Sequence, residues 1–161
     1  MRVADLMRRD PVTVRPQDSL EHLEEVLVRK RITGAPVVSG SQVVGVVSRS
    51  DLVSRLNLER SRFEDASWYL EPFDAEERTD SDTTHIREAV AARLGQLRVG
   101  DLMTKEVLSV SPADSLQKAA SLMVGRRVHR LLVMEGDRLV GIVSSMDLLR
   151  GIAGDGPSGA P

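Results

Sequence analysis

Few side chains in this sequence are equipped to make or break bonds. There is no cysteine, which excludes disulfide frames, zinc ribbons and thiol nucleophiles. The three histidines, His22, His85 and His129, lack metal-ligand spacing, so no metal site is expected. Ser144, His129 and Asp147 supply the residue types of a hydrolase triad. However, no Gly-x-Ser-x-Gly elbow accompanies them, and no acid pair sits in a motif context. Catalysis is not expected. What stands out is a Ser-x-x-Asp pattern that follows the same apolar run twice: Val44-Gly-Val-Val-Ser48 leads to Asp51, and Val140-Gly-Ile-Val-Ser144 leads to Asp147. An acceptor-only carboxylate suits a vicinal diol, and a helix N-terminus suits an anion. Both aspartates also fall in the first turn of an expected helix, where they are useful without any ligand.

The two patterns belong to a duplication. Shifting the chain by about 96 residues lays Val3-Ala-Asp-Leu-Met7 on Val99-Gly-Asp-Leu-Met103, and Pro16-Gln-Asp-Ser-Leu20 on Pro112-Ala-Asp-Ser-Leu116. Roughly 20 of the 52 positions from Arg2 to Val53 match their partners, far above chance for unrelated segments.

Each copy predicts the same elements. Pro11–Val14 and Val107–Val110 are short alternating runs that suit a brief strand. Asp18-Ser19 and Asp114-Ser115 are N-cap candidates, followed by apolar residues at helical spacing: Leu20, Leu23, Val26 and Leu27, then Leu116, Ala119, Ala120, Leu122 and Met123. Arg29-Lys-Arg31 and Arg126-Arg127 close these helices, where the dipole favours cations. β-branched runs on either side of Gly40 and Gly136 predict hairpins, and a short helix follows from Ser50 or Ser145. The fold class is therefore α+β: two β-α-β-β-α repeats, each too small to bury its own faces well, packed about a pseudo-twofold axis.

The expected boundaries are 1–58 for the first repeat, 59–96 for an acidic, partly helical insert, 97–152 for the second repeat and 153–161 for a frayed tail. Glu59 to Asp82 holds nine acids against three bases, and Glu71–Asp82 reads as a solvated loop. Ile86, Val90, Ala91 and Leu94 then mark an amphipathic helix. All four aromatic residues, Phe63, Trp68, Tyr69 and Phe73, lie in the insert, either anchoring it locally or serving a partner or lid.

Composition narrows the function. The 161 residues amount to about one domain, and 41% hydrophobic content supports a core that must be aliphatic. A net charge of −2 and only 2% aromatics disfavour nucleic acid, which calls for basic surface or stacking platforms. No long apolar run predicts a secretory or membrane-spanning segment, so the expected location is cytoplasmic, without membrane contact.

The motif order Val-x-Asp-Leu-Met, Pro-x-Asp-Ser-Leu, Gly-[Val/Ile]-Val-Ser-x-x-Asp-Leu, present twice, resembles a tandem pair of CBS (cystathionine β-synthase) domains, a Bateman module. The resemblance covers about Met1–Leu56 and Leu97–Ile152, and Val128-His-Arg-Leu-Leu-Val133 is similar to the nucleotide-binding repeats of the AMP-activated protein kinase gamma subunit. It implies a non-catalytic regulatory module that binds adenosine derivatives in the cleft between repeats. AMP, ADP and ATP are the expected ligands, with S-adenosylmethionine, NAD or a cyclic dinucleotide as further family ligands. The carried-over roles are ribose contact for Asp51 and Asp147, phosphate contact for Ser48 and Ser144, and ligand contact for Thr13 and Ser109. His129 and Arg130 would touch phosphate. The first copy has Thr33-Gly-Ala-Pro36 where the second has His129-Arg-Leu-Leu132, so it lacks that pair, although Arg49, Lys30 and Arg31 could substitute. Such modules pair into homodimers through helices, for which Leu23, Val26 and Leu27, or Leu52 and Leu148, are candidates. An effector protein, unidentified, would receive the signal in trans. The alternative is a ligand-free dimerisation scaffold acting through its surface and acidic insert.

Overall fold

The computed structural model describes residues 1–70 and 80–154, with side chains for 1–62 and 87–154. The aromatic side chains of the insert, residues 71–79 of the loop expected over 71–82 and the tail beyond Gly154 lie outside the described residues.

Both copies build the expected α-β-β-α part of the repeat. In the first, α1 (Leu20–Arg29) is followed by the strands β2 (Gly34–Ser39) and β3 (Gln42–Ser48), which pair, and by α2 (Arg49–Leu70). After the insert helix α3 (Asp80–Gln96) and the single turn α4 (Val99–Leu102), the second copy gives β4 (Ser109–Val110), α5 (Leu116–Arg126), β5 (Arg130–Glu135), β6 (Arg138–Ser144) and α6 (Ser145–Ala153). A 3-10 turn at Val3–Asp5 and a two-residue strand β1 (Arg8–Arg9) precede everything.

The caps explain where α1 and α5 begin. Ser19 Oγ accepts from His22 N–H at 3.1 Å, and Ser115 Oγ accepts from Lys118 N–H at 3.2 Å. Serine is thus the cap in both cases. The neighbouring Asp18 and Asp114 instead close the preceding turns, accepting from Arg15 N–H and Ser111 N–H at 2.8 Å. An arginine in the left-handed region follows each helix, Arg31 at φ 50° just past the Lys30 cap of α1 and Arg127 at φ 53° as the cap of α5.

The chain forms two compact units, which interleave the copies: Met1–Thr13, Pro36–Val46 and Thr104–Pro161 make one, Val14–Ala35 and Val47–Met103 the other. In the first unit a sheet runs in the order β1-β6-β5-β4, with β1 antiparallel to β6, β5 antiparallel to β6, and β4 parallel to β5. Its core is aliphatic and includes Val3, Val110, Leu131, Val133 and Val143, with Met7, Met123 and Leu148. Val3 N–H donates to Asp114 C=O at 2.9 Å, so the leading segment of the first copy packs on the second. Gly141 permits this approach, because a Cβ there would stand 2.8 Å from the Arg8 carbonyl oxygen. In the second unit the equivalent segment does the converse: Val99 N–H donates to Asp18 C=O at 3.0 Å and Gly100 N–H to Pro16 C=O at 2.8 Å. Val3 and Val99, the matched anchors, are both wholly buried.

Several expectations change. Over 11–14 only Val14 makes a bridge, so Thr13 lies on irregular chain, and the second brief strand shrinks to Ser109–Val110. The helix after β3 is long, running past residue 58 into the insert, because no glycine or proline interrupts the sequence before Pro72. Its counterpart α6 stops at Gly154, which caps it at φ 81° with its N–H on Arg150 C=O. Residues 80–82, expected in the loop, start α3. Val90 is buried, while Ala91 is exposed. α3 is pinned to α2 by Glu59, which is 2% exposed with Arg55, Arg62 and Arg93 at 2.9, 3.7 and 3.8 Å.

Candidate functional site

The Ser-x-x-Asp segments sit where a strand hands over to a helix. Ser48 ends β3 and caps α2; Ser144 ends β6 and caps α6. Asp51 Oδ2 accepts from the Ser48 N–H and hydroxyl, both at 2.7 Å, while the Asp51 N–H reaches Ser48 Oγ at 3.4 Å. Asp147 Oδ2 repeats this with Ser144, at 2.8 and 2.6 Å, and its N–H reaches Ser144 Oγ at 3.2 Å. This is a reciprocal capping box with aspartate as its acid. Within the box only one of the two oxygens of each carboxylate is engaged. The other, Oδ1, is an acceptor of the kind a diol needs.

The helix N-termini are less open than the sequence suggests. Arg49 N–H donates to Thr33 C=O at 2.9 Å, and Ser145 N–H donates to His129 C=O at 3.0 Å. With the third N–H of each helix on its cap, Ser50 and Met146 carry the first-turn donors not committed by these bonds. The backbone of His129 therefore has a structural task, while its side chain is exposed.

In the first unit the structure gathers Ser109, His129, Arg130, Ser144 and Asp147. Arg130 is in register with Ser144 across β5 and β6, and Ser109 of β4 pairs with Leu132 of β5. Ser109, His129 and Arg130 are exposed, Ser144 is half-buried and Asp147 is only 6% exposed. Ser48 and Asp51 lie together in the second unit, both half-buried; Thr13 is exposed and belongs to the first unit. Lys30, Arg31, Arg126 and Arg127 are exposed.

Asp147 faces two cations that lie outside the repeated motifs. Arg8 Nε lies 3.8 Å from Asp147 Oδ1, and Arg150 Nη1 lies 4.0 Å from the same oxygen. Arg150 was findable, three residues along the helix. Arg8 was not, because its proximity depends on β1 pairing with β6. Among the described residues Asp51 makes no ion pair and no group of acids and histidines could hold a metal.

A duplicated strand-to-helix junction, each with a serine-clamped carboxylate, defines a class: a two-repeat α+β module. The chain belongs to the CBS domain family, whose model matches residues 3–58 and 99–154. It is 30% identical over 157 residues to the chloroplastic CBS domain-containing protein CBSX2 of Arabidopsis thaliana, covering 92% of this chain and 62% of the relative. It is 26% identical over 148 residues to an inosine-5'-monophosphate dehydrogenase of Korarchaeum cryptofilum, covering 91% of this chain and 23% of that protein. The chain thus spans under two thirds of these two relatives. A crystal structure of CBSX2 in complex with AMP superposes with a TM-score of 0.68 at 27% identity, covering 95% of this chain and 96% of that one. Protein MJ1225 of Methanocaldococcus jannaschii shares the fold, with a TM-score of 0.71 at 22% identity over 94% of this chain and 47% of that one. Among the described residues no helix is long and apolar enough to cross a membrane.

Proposed function

We propose that this chain is a non-catalytic regulatory module that binds an adenine nucleotide through Asp51 and Asp147 and signals to an effector protein in trans. The observation that carries the reading is the division of labour within each carboxylate: Oδ2 is locked by its serine, which orients Oδ1 for two ribose hydroxyls. The AMP complex of the related CBSX2 supports an adenosine ligand. AMP, ADP and ATP are the favoured ligands, with S-adenosylmethionine and NAD as alternatives and no metal required. Ser48 and Ser144 act here chiefly by holding the carboxylates, while Thr13, Ser109, His129 and Arg130 supply further ligand contacts.

The proposal includes a cytoplasmic homodimer. Leu23, Leu27 and Leu148 cannot supply its face, because they are buried within their own units at 0, 1 and 5% exposure. Val53 and Leu56 on α2, and Met146, Leu149 and Ile152 on α6, are exposed and take over that role. One observation favours the ligand-free scaffold as a second reading: both aspartates already serve as helix caps, so the motif stabilises the fold without a nucleotide.

A thermal-shift panel of AMP, ADP, ATP, S-adenosylmethionine and NAD separates the two. A ligand at one hundred times its dissociation constant adds about 2.7 kcal/mol, several degrees for a chain of this size. Stabilisation by one adenine ligand, lost in an Asp51→Asn/Asp147→Asn double variant, is the expected result. A flat panel refutes nucleotide binding and leaves the scaffold.

A further inference from the structure

The two carboxylates are chemically duplicated but differently surrounded. Asp147 is 6% exposed and its Oδ1 faces Arg8 Nε at 3.8 Å and Arg150 Nη1 at 4.0 Å. Under the duplication the counterpart of Arg8 is Thr104 and that of Arg150 is Ser54, so neither matched position carries a guanidinium. Asp51 is half-buried and makes no ion pair among the described residues. Arg150 shares a helix with Asp147 and points along it, with 38% of its side chain exposed. Arg8 differs in kind: it arrives on another element, and its backbone is fixed by the pairing of Arg8 with Ile142 across β1 and β6. Its guanidinium is the group brought from outside onto the oxygen that a ribose diol would use.

We infer that Arg8 determines which of the two duplicated carboxylates takes nucleotide first: it covers Asp147 Oδ1, so Asp51 is the primary ribose site and Asp147 binds only by displacing Arg8. This rests on the nucleotide reading above. A neutral diol must replace a cation at a carboxylate, and charge-assisted contacts are the stronger kind. The distance is that of an ion pair without a tight hydrogen bond, and the Arg8 side chain is 59% exposed. The cover is therefore removable, and its effect on affinity is about two- to fivefold, short of abolition.

Isothermal titration of the full chain with AMP tests the assignment. The wild type is expected to show a tighter phase that Asp51→Asn removes, and a weaker or undetected phase that belongs to Asp147. Arg8→Thr, which installs the residue found at the duplicated position, should strengthen the second phase about two- to fivefold and leave the first alone. Arg8→Gln keeps side-chain length without charge and should do the same; Asp147→Asn in either background should remove the gain. Circular dichroism and melting of each variant check that β1 remains in place. Two equal phases in the wild type overturn the inference, as does a second phase that Arg8→Thr and Arg8→Gln leave unchanged or weaken. In those cases the nucleotide reading stands. Absence of AMP binding in every variant overturns that reading for AMP, and the Arg8 assignment falls with it.

Discussion

Replacing Asp147 by alanine removes more than a ligand contact. Its Oδ2 accepts two hydrogen bonds from Ser144, at 2.8 Å from the N–H and 2.6 Å from the hydroxyl, in a residue only 6% exposed. Hydrogen bonds to a charged acceptor contribute about 1.5–3 kcal/mol each, but the two share one oxygen and Ser144 is only half-buried, so water recovers part of the loss. Loss of an N-terminal cap costs about 1 kcal/mol by itself, and the acid also interacts favourably with the helix dipole. The ion pairs to Arg8 and Arg150 are long and largely solvated and add little. The total is about 2–3 kcal/mol, which lowers Tm by roughly 5–10 °C in a chain of this length. Asp147→Asn retains a carbonyl acceptor at nearly the same place and should cost about 1 kcal/mol or less. Thermal melts of both variants without ligand, followed by AMP titration, separate the two roles. The alanine variant should be clearly destabilised, and the asparagine variant should stay near wild-type stability while losing only the weaker AMP phase. If alanine melts within about 1 °C of wild type, the capping box contributes nothing and the reasoning from hydrogen-bond geometry is wrong.

Asp114 should titrate below the ordinary aspartate value of 3.8, first because Lys118 Nζ donates to its Oδ1 at 2.8 Å and second because Ser111 N–H donates to its Oδ2. A lowered folded-state pKa stabilises the protein above the unfolded value, and that contribution is lost as pH falls through the folded one. Carboxyl NMR should show the midpoint rising in Lys118→Ala; an unmoved midpoint refutes the Lys118 contact. Arg127, left-handed at φ 53° after α5, should be better replaced by glycine. Relief of the left-handed cost, about 1–2 kcal/mol, less the entropy that glycine loses on folding, gives a gain of about 0.5–1 kcal/mol in a chemical denaturation curve. A loss of stability in Arg127→Gly would mean that its side chain matters more than its backbone.

The sequence itself determined a good deal. Ser19 and Ser115 start helices, Gly40 and Gly136 turn hairpins, and the Ser-x-x-Asp segments mark strand-to-helix junctions. Each depends on groups within a few residues, so composition and spacing suffice. The family followed from the duplication of those local motifs. Local signals also misplaced some features: Pro11–Val14 alternates as a strand should, but Val14 alone finds a bridging partner. Leu23 and Leu27 read as one apolar stripe without revealing that it faces inward.

Only the tertiary structure decided which surface each repeated segment meets. The segment around Val3 packs on elements of the second copy, and the one around Val99 on elements of the first, although their sequences are nearly the same. Nothing local distinguishes these partners; the choice comes from burying both valines completely and from Gly141 letting the Arg8 backbone approach β6. That pairing carries an arginine onto Asp147 from far along the chain. Two carboxylates that the sequence presents as equals are thereby made unequal, because charge acts through space and the sequence orders residues only along the chain.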